Sequence, residues 1–304
     1  MPELPEVETV KRGLSHALSS FLIEKVVVLR DRAIAWPSES SSFASALAGC
    51  STGPWLRRGK YLITSLHDRR TVVDQKTAAA GGDDTARGLW VVHLRMTGQF
   101  LWLSPPPPPP PCPHTRVRIW GKDGNELRFV DTRNFGQMWW VPPGLPPEAI
   151  VRGLRELGPE PLSEAFTLPV FREALKGSKR PVKTALLDQR VVAGVGNIYA
   201  DESLFLAGLP PTAPAGGLND KQLETLRRTL IEVLTISIGQ GGTTFRDFRD
   251  LRGVNGNYGG QAWVYGRGGE PCRRCGTPIE RPRLSGRSSH WCPRCQASKS
   301  PSPN

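Results

Sequence analysis

Met1, Pro2, Glu3, Leu4, Pro5 and Glu6 open the chain with a small residue behind the initiator methionine, so that removing Met1 exposes an N-terminal proline. A terminal secondary amine attacks an electrophilic carbon and forms an iminium (Schiff base) without help from a lysine. An α-amino group has a reference pKa near ~8 against ~10.4 for lysine, so its unprotonated fraction at neutral pH is roughly a hundredfold larger. Glu3, next in the chain, is a candidate acid or base. The same residues also suit an ordinary helix start, in which Pro2 and Pro5 set the chain direction and Glu6 and Glu8 favour the positive end of a helix running to about residue 17. Taken alone, the segment leaves both readings open.

The other residues that announce their chemistry lie at the far end. Cys272 and Cys275, then sixteen residues, then Cys292 and Cys295 form two CxxC knuckles. Each knuckle sets two thiolates on one side of a tight turn, and the pair predicts a closed tetrahedral shell around one structural Zn2+, with no open position for catalysis. So short a segment has little core of its own, so the metal is expected to supply its fold. Between residues 265 and 299 stand eight Arg or Lys against two acids, which predicts contact with phosphates. Cys50 and Cys112 stand apart, as a buried thiol and a loop thiol, so the cysteines do not form a disulfide framework.

Strand-like stretches at 22–29, 61–66, 89–94, 99–103, 115–120, 126–129 and 137–141, separated by turns, predict a β-sandwich or barrel after the first helix. Two insertions interrupt it: residues 76–88, a flexible loop, and the seven prolines 105–111, expected as exposed polyproline II. Past Pro142 and Pro143 the pattern turns helical, with candidates at 146–156, 169–176, 181–187, 197–206 and 219–239. The fold class is therefore α+β and multidomain: a β-sandwich domain at 1–143, a helical domain at 144–262 and a zinc ribbon at 263–299. Between two of the helices, residues 190–197 carry Gly194 and Gly196 before Asn197. Such a turn can bring backbone N–H groups to a phosphate, although a glycine turn more often only reverses the chain.

Composition narrows the partner. The 304 residues carry a net charge of +12, which points to a polyanion, and the absence of a basic amphipathic helix with an aromatic face favours nucleic acid over a membrane. No run of 18 apolar residues and no basic-then-apolar leader is present, so a cytoplasmic, nucleoid-associated monomer without signal peptide is expected.

Seven ordered motifs then converge on one resemblance. Residues 1–9 (MPELPEVET), 58–62 (RGKYL), 93–98 (HLRMTG), 131–136 (DTRNFG), 194–201 (GVGNIYAD), 241–248 (GGTTFRDF) and 264–272 leading into the ribbon together resemble the formamidopyrimidine-DNA glycosylase family of bifunctional DNA glycosylases and AP lyases, bacterial type. The resemblance implies a β-sandwich domain, a helix-two-turns-helix domain and a zinc finger, acting on double-stranded DNA that contains oxidised bases or abasic sites. It makes Pro2 the nucleophile at the deoxyribose C1′ and Glu3 the proton donor to the opening sugar ring. It assigns Lys60 to β-elimination and Arg287 to δ-elimination, the latter better seen as a clamp on the departing phosphate because arginine stays protonated. His114, Arg133, Lys179, Lys183 and Asn197 match phosphate contacts. Met96, Arg133 and Phe135 match a trio that fills the void left by an everted nucleotide, a task suited to an apolar wedge and a planar cation. By themselves Met96 and Phe135 would also suit core packing. Gly242, Thr243, Thr244 and Arg246 match the loop that covers the everted purine.

Departures from the family pattern, Asn134 between Arg133 and Phe135 and the run Ser288, Ser289, His290 and Trp291 before the second knuckle, remove none of the proposed catalytic groups. The expected function is excision of 8-oxoguanine and formamidopyrimidines with β,δ-elimination. An endonuclease VIII type acting on oxidised pyrimidines shares Pro2, Glu3 and the ribbon. A non-catalytic zinc-ribbon DNA-binding protein explains the charge but not the joint presence of Pro2, Glu3 and Lys60.

Overall fold

The computed structural model describes residues 1–18, 20–68, 85–104, 108–122, 124–243 and 258–297. Two compact units are present: the first takes Met1, Pro2 and residues 6–155, and the second takes residues 3–5 with the described chain from Glu156 onward.

The first unit is a β-sandwich. One sheet has the order β1 (Ile23–Val28), β7 (Thr115–Gly121), β8 (Glu126–Asp131), β6 (Gly98–Leu103), and the other β2 (Ile34–Trp36), β9 (Gln137–Val141), β5 (Ala86–His93), β4 (Tyr61–Asp68), β3 (Cys50–Arg58). The β2–β9 pair is parallel and its neighbours pair antiparallel. Phe100, Val117, Ile119, Leu127 and Phe129 of the first sheet share one buried cluster with Trp55, Leu62, Trp90, Val92 and Met138 of the second. Trp90 meets Phe100 edge-on across it at 6.0 Å. Helix α1 (Leu4–Ala17) adds Val7, Val10 and Leu14, one face at helical spacing, and α2 (Ser40–Leu47) adds Phe43 and Leu47. Each such side chain removed from water contributes roughly 1.5–3 kcal/mol before the entropy of ordering is charged against it.

Several elements differ from the sequence expectation. Strand β3 is not among the expected strands; it carries Gly53 and Pro54, which a register shift between Thr52 and Trp55 absorbs as a bulge. Helix α2 is serine-rich and forms because Phe43 and Leu47 are buried, not because its residues favour helix. Residues 86–88, expected in a flexible loop, belong to β5; residues 76–84 lie outside the described residues. The helix expected at 146–156 is two short turns, α3 (Pro147–Ile150) and α4 (Arg152–Arg155), broken where Val151 leaves helical geometry (φ −94°, ψ 85°) and buries its side chain. Of the proline run, 105–107 lie outside the described residues, while the carbonyls of Pro109 and Pro110 accept from the Arg128 guanidinium at 2.8 and 3.3 Å. Proline lacks the donor but keeps the acceptor, so an arginine can hold the run where no backbone ladder could.

In the second unit α5 (Leu168–Leu175), α6 (Val182–Leu186), α7 (Asn197–Ala207) and α8 (Asp220–Gly239) surround Phe171, Leu186, Val195, Tyr199, Leu204, Leu226 and Leu230. Asn219, the expected first residue of the long helix, is its N-cap, in a reciprocal capping box with Gln222. The ribbon carries a short hairpin, β10 (Arg283–Leu284) and β11 (Arg287–Ser288), and shares a cluster of Val264, Cys272, Ile279 and Cys292 with Phe205 of α7. Its fold therefore rests on a borrowed aromatic as well as on the metal. Among the described residues no helix is long and apolar enough to cross a membrane.

Candidate active site

Pro2 is buried, whereas Met1 is 42% exposed. In the second unit, Glu3 is buried and its Oε1 accepts from the backbone N–H of Ile198 at 3.1 Å, in the first turn of α7. The Leu4 N–H donates to the Gly194 carbonyl at 3.0 Å. The expectation that this turn offers its N–H groups to a phosphate is thus corrected at Ile198: the favourable place for an anion is taken by the chain's own carboxylate. Gly194, at φ +84°, packs against the Leu4 side chain, and a Cβ at Gly196 would fall on the Glu3 carboxylate. Gly196 has an extended backbone that alanine tolerates, so the obstacle is space alone. Gly196→Ala is expected to displace Glu3 and slow base excision by at least about tenfold, roughly 1.4 kcal/mol, with an unchanged circular dichroism spectrum; excision at the parental rate would show that Glu3 does not depend on this seat.

In the first unit, Lys60 sits at the β3–β4 turn beside Gly59 (φ +55°) and is only 8% exposed, unlike a surface lysine. Nearby on β5, burial holds the His93 imidazole well below its usual pKa, and the positive charges of Arg95 and Lys60 act in the same direction. His93 is therefore neutral at physiological pH. Its Nδ1 accepts from the Arg95 N–H at 2.9 Å, which shapes the turn carrying Met96.

The void-filling candidates are brought together by a residue that the sequence motif left without a role. Asp131, fully buried at the end of β8, accepts from the backbone N–H groups of Arg133 (3.2 Å), Phe135 (2.8 Å) and Gly136 (2.6 Å), and from the Thr97 hydroxyl. Thr97 also accepts from the Arg133 N–H at 3.0 Å. One carboxylate thus ties the turn bearing Met96 to the turn bearing Arg133 and Phe135. Phe135 is 40% exposed, which removes the core-packing reading, and the Arg133 guanidinium lies 4.9 Å from its ring centroid. Met96 is half-buried, and Arg133 and His114 are exposed.

In the second unit, Lys183 is buried, with Nζ 2.7 Å from Asp201 Oδ1 and donating to the Ser288 carbonyl at 2.6 Å. Burial lowers its pKa and Asp201 opposes that shift. Asn197 Nδ2 donates to the same carbonyl at 3.0 Å, and Asp201 Oδ2 accepts from the His290 N–H at 2.9 Å. Lys183 and Asn197, two of the five residues matched to phosphate contacts, therefore hold the strand that begins with Arg287, which is itself exposed on β11, as Lys179 is exposed before α6. Glu202 accepts three backbone N–H groups, from Trp263 (2.7 Å), Val264 and Tyr265 (2.9 Å each), at the entry to the ribbon. An acidic residue inside the apolar helix NIYADESLFLA was the available signal for it. Gly242 and Thr243 are described; Thr244 and Arg246 lie outside the described residues.

The sulfurs of Cys272, Cys275, Cys292 and Cys295 all lie within 4.8 Å of one another, with Cys275 and Cys292 at 3.5 Å and Cys272 and Cys295 at 3.9 Å. Tetrahedral zinc with bonds near ~2.3 Å needs sulfurs about 3.8 Å apart, so the four thiols fit one structural ion. Backbone N–H groups of Arg274 and Cys295 point at Cys272 Sγ and Cys292 Sγ, each at 3.4 Å, as thiolate ligands require. Not every basic residue of the ribbon is available to DNA, however. Arg267 and Arg273 donate to carbonyls of residues 260–271, and Arg274 lies over the rings of Phe205 and Trp263.

Comparison with known proteins accounts for these features together. Residues 1–138 match the formamidopyrimidine-DNA glycosylase N-terminal domain, 157–249 the H2TH domain of the same enzymes, and 269–297 a zinc finger found in FPG and IleRS. The chain is 61% identical over 296 residues to a formamidopyrimidine-DNA glycosylase of Parasynechococcus marenigrum, covering 97% of this chain and all of the relative. Among solved structures, the MutM (Fpg) protein from Thermus thermophilus is 39% identical with a TM-score of 0.81, covering 98% of this chain and all of that one. Lactococcus lactis Fpg in complex with Fapy-dG-containing DNA is 31% identical with a TM-score of 0.82, covering 97% of this chain and all of that one. With the N-terminal Pro2-Glu3 pair, the sandwich, the helical unit and the four-cysteine ribbon matched in order over nearly its full length, the chain belongs to the formamidopyrimidine-DNA glycosylase family.

Proposed function

We infer that this chain removes oxidised purines, 8-oxoguanine and formamidopyrimidines, from double-stranded DNA and cuts the resulting abasic site by β,δ-elimination. The observation that carries the reading is Glu3, next in the chain to Pro2, whose buried carboxylate is held by the Ile198 N–H at the first turn of α7. Once Met1 is removed, the Pro2 nitrogen adds to the deoxyribose C1′, and the base leaves with the glycosidic electron pair and takes up the proton that the nitrogen sheds. Glu3 protonates the ring oxygen as the sugar opens, leaving an iminium between Pro2 and C1′. The iminium withdraws electrons from C2′ and makes its proton acidic, so the 3′ phosphate leaves by β-elimination and the 5′ phosphate by δ-elimination. Lys60 supports the first elimination, and Arg287 balances charge on a departing phosphate. His114, Arg133, Lys179, Lys183 and Asn197 serve the DNA backbone, Lys183 and Asn197 through the ribbon strand they hold. Met96, Arg133 and Phe135 fill the void. The segment 241–248 covers the everted base. Zinc holds the ribbon in shape and takes no part in bond breaking. The monomer works in the cytoplasm, with residues 1–143, 144–262 and 263–299 as its functional segments.

A second reading has a specific motive, since a Lactococcus lactis Fpg has also been crystallised with DNA containing an oxidised pyrimidine. Single-turnover excision separates the two. The purine reading expects faster cleavage of an 8-oxoguanine duplex than of a thymine glycol duplex, and the opposite order would assign the chain to pyrimidine lesions.

A further inference from the structure

We propose that Tyr199 is a positioning residue for lesion recognition, its buried hydroxyl pinning the stem of the segment that covers the everted base. The proposal rests on that assignment of residues 241–248. Tyr199 lies on α7 and is fully buried in the second unit, where a phenol without partners for its hydroxyl would be costly. The hydroxyl is 2.6 Å from Ser237 Oγ in the last turn of α8 and 2.8 Å from Thr243 Oγ1. Ser237 is fully buried and Thr243 almost so.

The stem needs such a pin because its backbone has been made permissive. Gly241 and Gly242 stand at φ +74° and +82°, a region that leaves the chain many ways to continue. Three interactions select one. The Gly242 N–H donates to the Ser237 carbonyl at 2.8 Å, the Tyr258 N–H donates to the Gly242 carbonyl at 3.1 Å, and the Tyr199 hydroxyl joins Thr243 to α8. The Tyr199 ring also packs against Tyr258 at 5.9 Å. Thr243 and Tyr258, the residues that flank 244–257, are therefore both referred to one phenol. Each hydroxyl can donate once and accept twice, so Ser237, Tyr199 and Thr243 form a directional chain that fixes rotation where packing alone would fix only volume.

A base still attached to its sugar has to be gripped, whereas an abasic site has no base to grip. Tyr199→Phe keeps the packed ring and removes the pin. It is expected to slow single-turnover excision of 8-oxoguanine about tenfold, the scale of one buried hydrogen bond left unmade, while cutting of a preformed abasic site stays within about twofold of the parent. Thr243→Val, of the same shape without the hydroxyl, should reproduce the defect, and Thr243→Ser, which keeps it, should restore excision. Parental excision by Tyr199→Phe, or parallel loss of both activities, would overturn the proposal. Deleting residues 245–248 distinguishes the two levels. Normal excision by the deletion would refute the base-covering assignment itself. Slow excision by the deletion beside normal excision by Tyr199→Phe would refute the pin alone.

Discussion

Borohydride reduction during turnover is expected to join the mature protein covalently to an 8-oxoguanine duplex, and to give no adduct when Met1 is retained. With Met1 in place the Pro2 nitrogen is a tertiary amide: its lone pair is delocalised into the Met1 carbonyl and it cannot become an iminium. The fall in adduct yield should be at least ~10³-fold, the scale seen when a nucleophile is removed from an otherwise intact site. Pro2→Gly tests a subtler point. A terminal glycine keeps a primary amine, so trapping should weaken without vanishing, because the pyrrolidine ring no longer fixes the direction of attack. The intact mass shows which form is present, lighter by one methionine residue when Pro2 is the terminus. Full trapping with Met1 still attached would remove Pro2 from the mechanism and move the search to a lysine such as Lys60. No trapping by the mature protein would instead favour a DNA-binding protein that has lost the reaction.

The parts legible in the sequence were those in which chemistry resides in residue type and spacing. Cysteines at two CxxC knuckles can be read without a fold, and so can a proline behind the initiator methionine. Elements held by long-range packing were harder. Strand β3 was not among the expected strands, since Gly53 and Pro54 stand inside it, and only its pairing with β4 shows that a bulge accommodates them. Helix α2 has serines where good helix formers would be expected, and burial of two apolar side chains decides its structure. The site followed the same rule. Glu3 was readable as an acid, but its seat lies 195 residues away in the chain at Ile198. Asp131 stood in a recognised motif without a role because its task is to accept from several backbone N–H groups, and such acceptors leave no compositional mark. Lys183 was matched to a phosphate contact by resemblance alone, and nothing in its local sequence announces that its ammonium lies between Asp201 and the Ser288 carbonyl. Sequence reports the sign of a charge; packing decides where that charge points.

Removing the metal should have the other large effect, on DNA affinity instead of on the bond-breaking step. Cys272→Ala leaves three thiolates and an open shell, and structural zinc in finger peptides is worth roughly 10–16 kcal/mol, more than the rest of the ribbon can replace. The small cluster around Phe205, Val264 and Ile279 cannot hold the knuckles by itself, so the hairpin bearing Arg287 should lose its fixed shape. Arg281, Arg283, Arg287 and Arg294 are exposed on the ribbon, and each phosphate that the protein no longer neutralises lowers the slope of log K against log salt by about 0.9. The expected result is at least a tenfold weaker binding to an abasic-site duplex at ~0.1 M salt, together with a slope shallower by about 1 to 4. The sandwich has its own core, built on Trp55, Trp90, Phe100 and Phe129, so its near-UV tryptophan signal should persist. Fluorescence anisotropy at several salt concentrations measures the first effect and circular dichroism the second. Unchanged affinity and slope in a protein shown to be zinc-free would refute a ribbon that clamps phosphates. Collapse of the tryptophan signal would mean that the sandwich does not keep its fold without the metal. Retained tryptophan packing with a diminished salt slope is the combination that a zinc-shaped clamp, separate from the folding of the catalytic sandwich, requires.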